Sequence, residues 1–247
     1  MKVLSLVSIK GGVGKTASAV NLAAEATRTG ARVLVWDLDP QGSTTYLLRS
    51  AHELTGDGGR GLVAAGGELA PQVRATSIPG LELLPSDVSL RYLDRYLDAA
   101  GRPRRRVGAL LRPLADRYDL AVVDCPAGAS LAVDSVVRAS DVLLVPVVPT
   151  TLAVRTLHQL EELVASRSKR PEVLAHVSIH DRRRRLQREV VDQLLARPST
   201  LPTVVPASSL VERMGVQRAP VAAYAPRSEA ATAYRQLWEQ LSSRLWG

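Results

Sequence analysis

The sequence predicts a three-layer α/β fold, a twisted and mainly parallel sheet flanked by helices. Apolar runs of strand length recur along the chain, at Val3 to Ile9, Ala31 to Trp36, Asp119 to Asp124, Asp141 to Val148 and Val173 to Ile179. They are nearly continuous in apolar character, as strands buried on both faces are. Between them lie stretches with helical spacing, the alternation that gives βαβ units and a parallel sheet. The first three runs lead into glycine-rich or acidic turns, and in open α/β sheets ligands bind at the carboxyl ends of the strands. With 247 residues and 46% hydrophobic content the chain can bury a sizeable core, so one domain over residues 1–247 is expected.

The net charge is +8, from 32 Lys and Arg against 24 Asp and Glu, and the pI is near 10.1. That points to an anionic partner, nucleic acid or an acidic membrane surface, and charge alone does not choose between them. The single cysteine, Cys125, leaves no partner for an internal disulfide and fits a reducing cytoplasm. The opening apolar run is only a strand's length, so no signal peptide is expected. No stretch approaches the roughly 20 apolar residues of a membrane-spanning helix, and a soluble protein is expected.

Taken in order, the first strand runs into Lys10-Gly11-Gly12-Val13-Gly14-Lys15-Thr16 and then into an Ala- and Leu-rich helix from Ala17 to Thr27. Strand, glycine turn and helix N-terminus make a phosphate cradle, because glycines let backbone N–H groups close on an anion that the helix dipole favours. The pattern is that of a P-loop except at its first position, where Ser8 replaces glycine. In it Lys15 reaches the β/γ-phosphates and the Thr16 hydroxyl holds Mg2+. The second strand ends in Asp37-Leu38-Asp39-Pro40-Gln41-Gly42, which places two carboxylates at the crevice. Residues 50–79, broken by six glycines, are expected to form short helical turns and loops. Gly80 to Ser86 alternates as a strand stopped by Pro85. A helix is expected over Asp87 to Ala99 with Leu90, Leu93 and Leu97 on one face.

Four of the five residues from Arg102 to Arg106 are arginine, ahead of a helix carrying Val107, Leu110, Leu111 and Leu114. A solvated charge run is the default reading, with anion binding as the alternative. The strand Asp119 to Asp124 closes on an acidic residue suited to holding Mg2+ through water, and Cys125 after it reads as a core filler. A strand within Asp141 to Val148, a helix over Leu152 to Ser166 and a strand over Val173 to Ile179 follow. Arg182, Arg183, Arg184 and Arg185 then stand at a helix start, where cations oppose the dipole unless an anion is near. His158, His176 and His180 are too scattered for ligand spacing. The final helix, Glu229 to Trp246, carries Tyr234, Leu237, Trp238, Leu241 and Leu245 on one face.

The early lysine in Lys10-Gly-Gly-Val-Gly-Lys15-Thr16, with Asp37-x-Asp39-Pro-Gln-Gly42 and the Asp119 to Asp124 strand in order and spacing, resembles the deviant Walker A box and switch motifs of the ParA/MinD family of ATPases. The resemblance spans nearly the whole chain and implies a P-loop NTPase fold with ATP and Mg2+ as cofactors. It implies that Lys10 crosses a dimer interface to the partner's phosphates, an arrangement akin to an arginine finger. It further implies that Asp39 positions or polarises the attacking water, that Asp37 supports the Mg2+ shell through water, and that Thr16, Asp37, Asp39 and Asp124 together make up the metal site. Gly11, Gly12, Val13, Gly14 and Ala17 complete the nucleotide site, and Pro206 leads into a loop that packs on adenine. Cys125-Pro126-Ala127-Gly128 stands where the family has Pro-Pro, with Ala127 in place of the second proline.

A DNA-contacting arginine of the family aligns best with Arg183, within Arg182 to Arg185. Val211 to Pro220 departs from the family's Arg-x-x-Glu-Ala-Pro segment, leaving Arg213 and Arg218 as rough substitutes. The final helix coincides with the family's packing helix, against a membrane-binding role as in the MinD branch. The implied cycle is an ATP-dependent homodimer that binds DNA non-specifically and is stimulated by a ParB-like or cargo-adaptor protein. The implied work is positioning a plasmid, chromosome origin or protein compartment such as a carboxysome over the nucleoid. No N-terminal helix-turn-helix precedes the first strand, so operator binding is not expected. A metal-cluster relative is excluded by its need for two cysteines per chain, and the intact Lys10, Lys15, Asp39 and Asp124 speak against a non-hydrolysing scaffold.

Overall fold

A computed structural model describes residues 1–48, 69–99, 101–167 and 170–247. In chain order the elements are β1 (Lys2–Leu6), α1 (Lys15–Arg28), β2 (Val33–Asp37), α2 (Ser43–Leu47), β3 (Arg74–Ala75), β4 (Leu81–Leu84), α3 (Leu93–Ala99) and α4 (Arg106–Leu111). They continue with β5 (Leu120–Asp124), α5 (Leu131–Ala139), β6 (Val142–Val147), α6 (Thr151–Ala165), β7 (Glu172–His180), α7 (Arg185–Leu195) and β8 (Thr200–Pro206). Three one-turn helices, α8 (Ser209–Glu212), α9 (Met214–Gln217) and α10 (Val221–Tyr224), precede α11 (Glu229–Trp246). The strands form one sheet in the order β3-β4-β2-β5-β1-β6-β7-β8, parallel throughout except for β3 at its edge.

Alternation along each strand explains the two helical layers. Leu34, Trp36, Ala121 and Val123 face one side, against leucines and valines of α3 to α7. Val33, Val35, Leu120 and Val122 face the other, against Ala19, Leu22 and Ala26 of α1 and the apolar stripe of α11. Within α11, Tyr234, Leu237, Trp238, Leu241 and Leu245 are all buried, and the Trp238 indole N–H donates to Thr29 Oγ1 at 3.1 Å. The helix is therefore a packing element over that face. Among the described residues no helix is long and apolar enough to cross a membrane.

Three expectations change. The first strand ends at Leu6 rather than Ile9, because Ser8 turns into the loop, its hydroxyl bonding the Lys10 carbonyl at 2.8 Å. The helix expected from Asp87 begins as a tight turn over Val88–Tyr92, set by the Asp87 carboxylate accepting from the Ser89 N–H at 2.7 Å, and becomes α-helical only at Leu93. Of residues 50–79, those up to 68 lie outside the described residues. Beyond them, Arg74 and Ala75 pair with Leu83 and Glu82 as a strand, too short to leave a period in the sequence.

Candidate active site at the carboxyl ends of the central strands

β1, β2 and β5 are neighbours, and Asp37 lies directly beside Asp124 in the β2–β5 register. The loop after β1 turns on Gly12 at φ 71° and Gly14 at φ 92°, left-handed conformations that favour glycine, and Gly14 caps α1. A Cβ on Gly14 would stand 2.7 Å from Ser178 Oγ, so any other residue there would press on β7 as well as strain the turn. Lys15 is buried at 8% exposure. Lys10, by contrast, is exposed, and among the described residues its ammonium has no ion pair.

Asp124 is the hub. Its Oδ2 accepts from both the Thr16 and the Thr44 hydroxyls at 2.7 Å, while its buried Oδ1 has no partner among the described residues. Burial pushes this carboxyl up, and the Thr44 and Thr16 hydrogen bonds and the Lys15 charge oppose that shift. Asp37 is fully buried and its carboxyl is pushed up to about 7, by burial first and by the charge of Asp124 second. Asp37 Oδ2 accepts from the Thr45 N–H and hydroxyl at 2.8 Å each, and Oδ1 from the Asp39 N–H at 3.2 Å. Two raised carboxyls and an orphaned buried oxygen beside a threonine hydroxyl fit a hard divalent cation. Mg2+ is ordinarily bound by one or two carboxylates plus substrate phosphates rather than by an all-protein cage.

Asp39 is half-buried and oriented by its own turn, its Oδ1 accepting from the Gln41 N–H at 3.0 Å. Its carbonyl takes the Ser86 hydroxyl at 2.5 Å and the Gly42 N–H at 2.9 Å, and the Ser86 N–H donates to Thr45 Oγ1 at 2.8 Å. Thr44, Thr45, Ser86 and Ser178 were not singled out from the sequence. The Ser-Thr-Thr run after Gly42 is the available signal for the first two and the Pro85-Ser86 turn for the third; Ser178 leaves none.

Ala17 and Pro206 come together with Gly14, Ser178, Ile179 and Tyr234 around a cavity of about 110 Å³ beside the loop. Ile179 holds φ 54°, a strained conformation for a β-branched residue, where the β7–β8 pairing is irregular. Beneath it, burial lowers His176 to about 4, so the ring is neutral against Ser18 Oγ at 3.3 Å.

The arginine run lies one residue past β7's end. Its conflict with the α7 dipole calls for a nearby anion, and the chain itself supplies one in Asp181. Asp181 accepts from the Arg183 N–H and guanidinium at 3.1 and 3.0 Å and pairs with Arg184 at 3.6 Å; those Arg183 bonds pull its carboxyl down to about 2. Arg182 pairs with Glu229 at 2.5 Å and Arg185 with Glu189 at 3.0 Å. All four arginines remain exposed. Arg213 is exposed as well, whereas Arg218 donates to the Tyr46 carbonyl at 3.0 Å with its guanidinium 4.6 Å from the Tyr46 ring.

A glycine turn at a helix N-terminus, a buried lysine and a carboxylate gripping the loop threonine define the class: a P-loop nucleoside triphosphatase. Residues 1–174 match the family model described as an AAA domain. The chain is 33% identical to the chromosome-partitioning ATPase Soj of Thermus thermophilus, over 98% of this chain and 96% of that protein. The chain belongs to the ParA/MinD family of P-loop ATPases, of the small type, and is an ATP-hydrolysing enzyme. Two solved structures share its fold. A complex of Cyanothece McdA with ATP superposes with a TM-score of 0.82 at 22% identity, covering 99% of this chain and 96% of that one. Cobyrinic acid a,c-diamide synthase of Mycobacterium smegmatis, with bound ATP analogue and magnesium, superposes with a TM-score of 0.80 at 24% identity, covering 100% and 96%.

Proposed function

We propose that this ATPase positions a cargo over the nucleoid, through a cycle in which ATP closes two copies face to face and hydrolysis reopens them. The observation that carries the reading is the contrast around the loop: Lys15 is buried within the site, while Lys10 is exposed with no ion pair among the described residues. A charge held at the rim of a formed site is what a second copy would need to complete its neighbour's phosphate site. Lys15 and the N–H groups at the start of α1 bind the β/γ-phosphates, and Gly11, Gly12, Val13 and Gly14 shape the turn. Thr16 and, through water, Asp124 would hold Mg2+, which supplies charge neutralisation of the phosphates when bound. Asp39 orients the attacking water. Asp37, both of whose oxygens accept from the protein, supports the cation at one remove by holding the turn that carries Asp39 and Thr44. Ala17 and Pro206 face the base in the adjoining cavity.

The dimer binds DNA without sequence preference through Arg182, Arg183, Arg184 and Arg185, with Arg213 and Arg218 in lesser roles, in a cytoplasmic, nucleoid-associated protein of one domain. A ParB-like or cargo-adaptor protein stimulates turnover, and the cargo is a plasmid, a chromosome origin or a protein compartment. The buried apolar stripe of α11 favours this over membrane cycling. Co-sedimentation with duplex DNA and with anionic vesicles, with and without ATP, tests it. DNA retention is expected only with ATP. Alanine at positions 182–185 should flatten the dependence of log affinity on log salt by about one unit for each arginine–phosphate pair removed. ATP-dependent sedimentation with vesicles instead, or retention unaffected by the substitutions, would overturn the reading.

A further inference from the structure

The other arginine cluster has no place in that cycle. Arg102, Pro103, Arg104, Arg105, Leu131 and Arg138 line an open cavity of about 640 Å³ on the side of α5. Gly101 and Arg102 are both left-handed, at φ 67° and 52°, which turns the chain sharply into α4. The Val107 N–H donates to the buried Ser135 hydroxyl at 3.0 Å, fixing α4 against α5 and with it the two walls.

Most of the charge in this cavity is uncompensated. Asp134 is taken by Arg104 at 3.5 Å and by Arg167 at 2.5 Å. Among the described residues Arg102, Arg105 and Arg138 have no carboxylate within ion-pair distance. The start of α5 is already satisfied, since Asp94 accepts from the Leu131 and Ala132 N–H groups at 3.3 and 2.9 Å and Ser130 Oγ from Val133 at 3.2 Å. Any anion in the cavity is therefore met by guanidinium groups, with Leu131 and Pro103 supplying apolar surface between them.

We propose that this cavity is the docking site for an acidic, leucine-bearing peptide segment of a partner protein. Guanidinium groups that are exposed, at Arg102 and Arg105, or half-buried, at Arg138, with no fully buried polar donor among them suit an extended polyanion better than a compact one. A DNA duplex, a convex rod presenting phosphates, would rest on the rim and leave the apolar surface uncovered, whereas a peptide alternating carboxylates with leucine satisfies both. α5 begins seven residues after Asp124, so an occupant touching Leu131 sits close to the segment that follows that carboxylate. Any effect on turnover rests on the proposed cycle; the binding itself does not.

Fluorescence anisotropy on the intact protein tests it, using a labelled peptide alternating glutamate with leucine, a polyglutamate peptide and a labelled DNA duplex. Binding of the Glu/Leu peptide is expected, weakened about tenfold by Arg102→Ala/Arg105→Ala/Arg138→Ala together, since each exposed charge pair contributes modestly, and weakened again by salt. Leu131→Ser should lower its affinity and leave polyglutamate unchanged. Equal binding by the triple variant with its circular dichroism intact, no binding by the wild type, or loss of duplex binding with the peptide unaffected would overturn the proposal.

Discussion

The phosphate-loop end of the sheet and the arginine run after β7 are both dense in charge, yet the charges are held in opposite ways. Around Asp124 they are buried, and each oxygen is either taken by a specific donor or left open in one direction. From Arg182 to Arg185 they stand in solvent, paired with Asp181, Glu189 and Glu229. Interior charges in low dielectric are strong and intolerant of change, while exposed pairs are weak and redundant. One atom should matter at the first region, and several side chains must go before the second responds.

The most severe test removes the buried ammonium. Lys15→Ala should reduce ATP binding by at least about a hundredfold in calorimetry, the loss of a desolvated charge–phosphate pair. An isotherm like the wild type's would dissolve the distinction between the regions. Next comes a single methyl: Gly14→Ala meets Ser178 Oγ and must adopt φ 92°, so it should cost about 1–3 kcal/mol in stability and cut ATP affinity. Gly11, with open space around its Cβ direction, is the control, and Gly11→Ala should melt like the wild type. The smallest expected effect lies between the regions, at Ile179. Ile179→Gly relieves the left-handed strain, so stability should hold or rise by up to about 1 kcal/mol, while nucleotide affinity falls several-fold because the cavity loses part of its wall. A drop of more than about 2 kcal/mol in thermal melts would show that packing, not strain, dominates there.

Much of the nucleotide site was legible because its parts are contiguous in the chain. Lys10 to Thr16 and Asp37 to Gly42 each fit within one turn, and the apolar runs mark the strands that carry them. The residues missed were the ones joined across the fold. Thr44 reaches Asp124 across 80 positions, and Ser86 braces Asp39 across 47; hydroxyls of this kind are abundant and carry no local pattern. The two arginine clusters show the same limit with the signs exchanged. The sequence makes a functional reading stronger for Arg182 to Arg185, because of the helix dipole, than for Arg102 to Arg106, where a solvated face is the default. The fold brings Glu229 to the former, whose other partners, Asp181 and Glu189, lie two to four positions away along the chain, and leaves Arg102, Arg105 and Arg138 of the latter region without carboxylates among the described residues.

Sequence alone determined the alternation of buried strands and helices, the glycine turn and the order of its acidic companions, because strand period, helix spacing and turn conformation are properties of neighbouring residues. Tertiary structure decided which oxygen of Asp124 is engaged and which is open, which arginines are neutralised, and that Ile179 is held under strain at the cavity wall. Those outcomes depend on burial and on partners such as Thr44 and Glu229 supplied by distant elements. A charge's neighbours in space, rather than along the chain, set its energy.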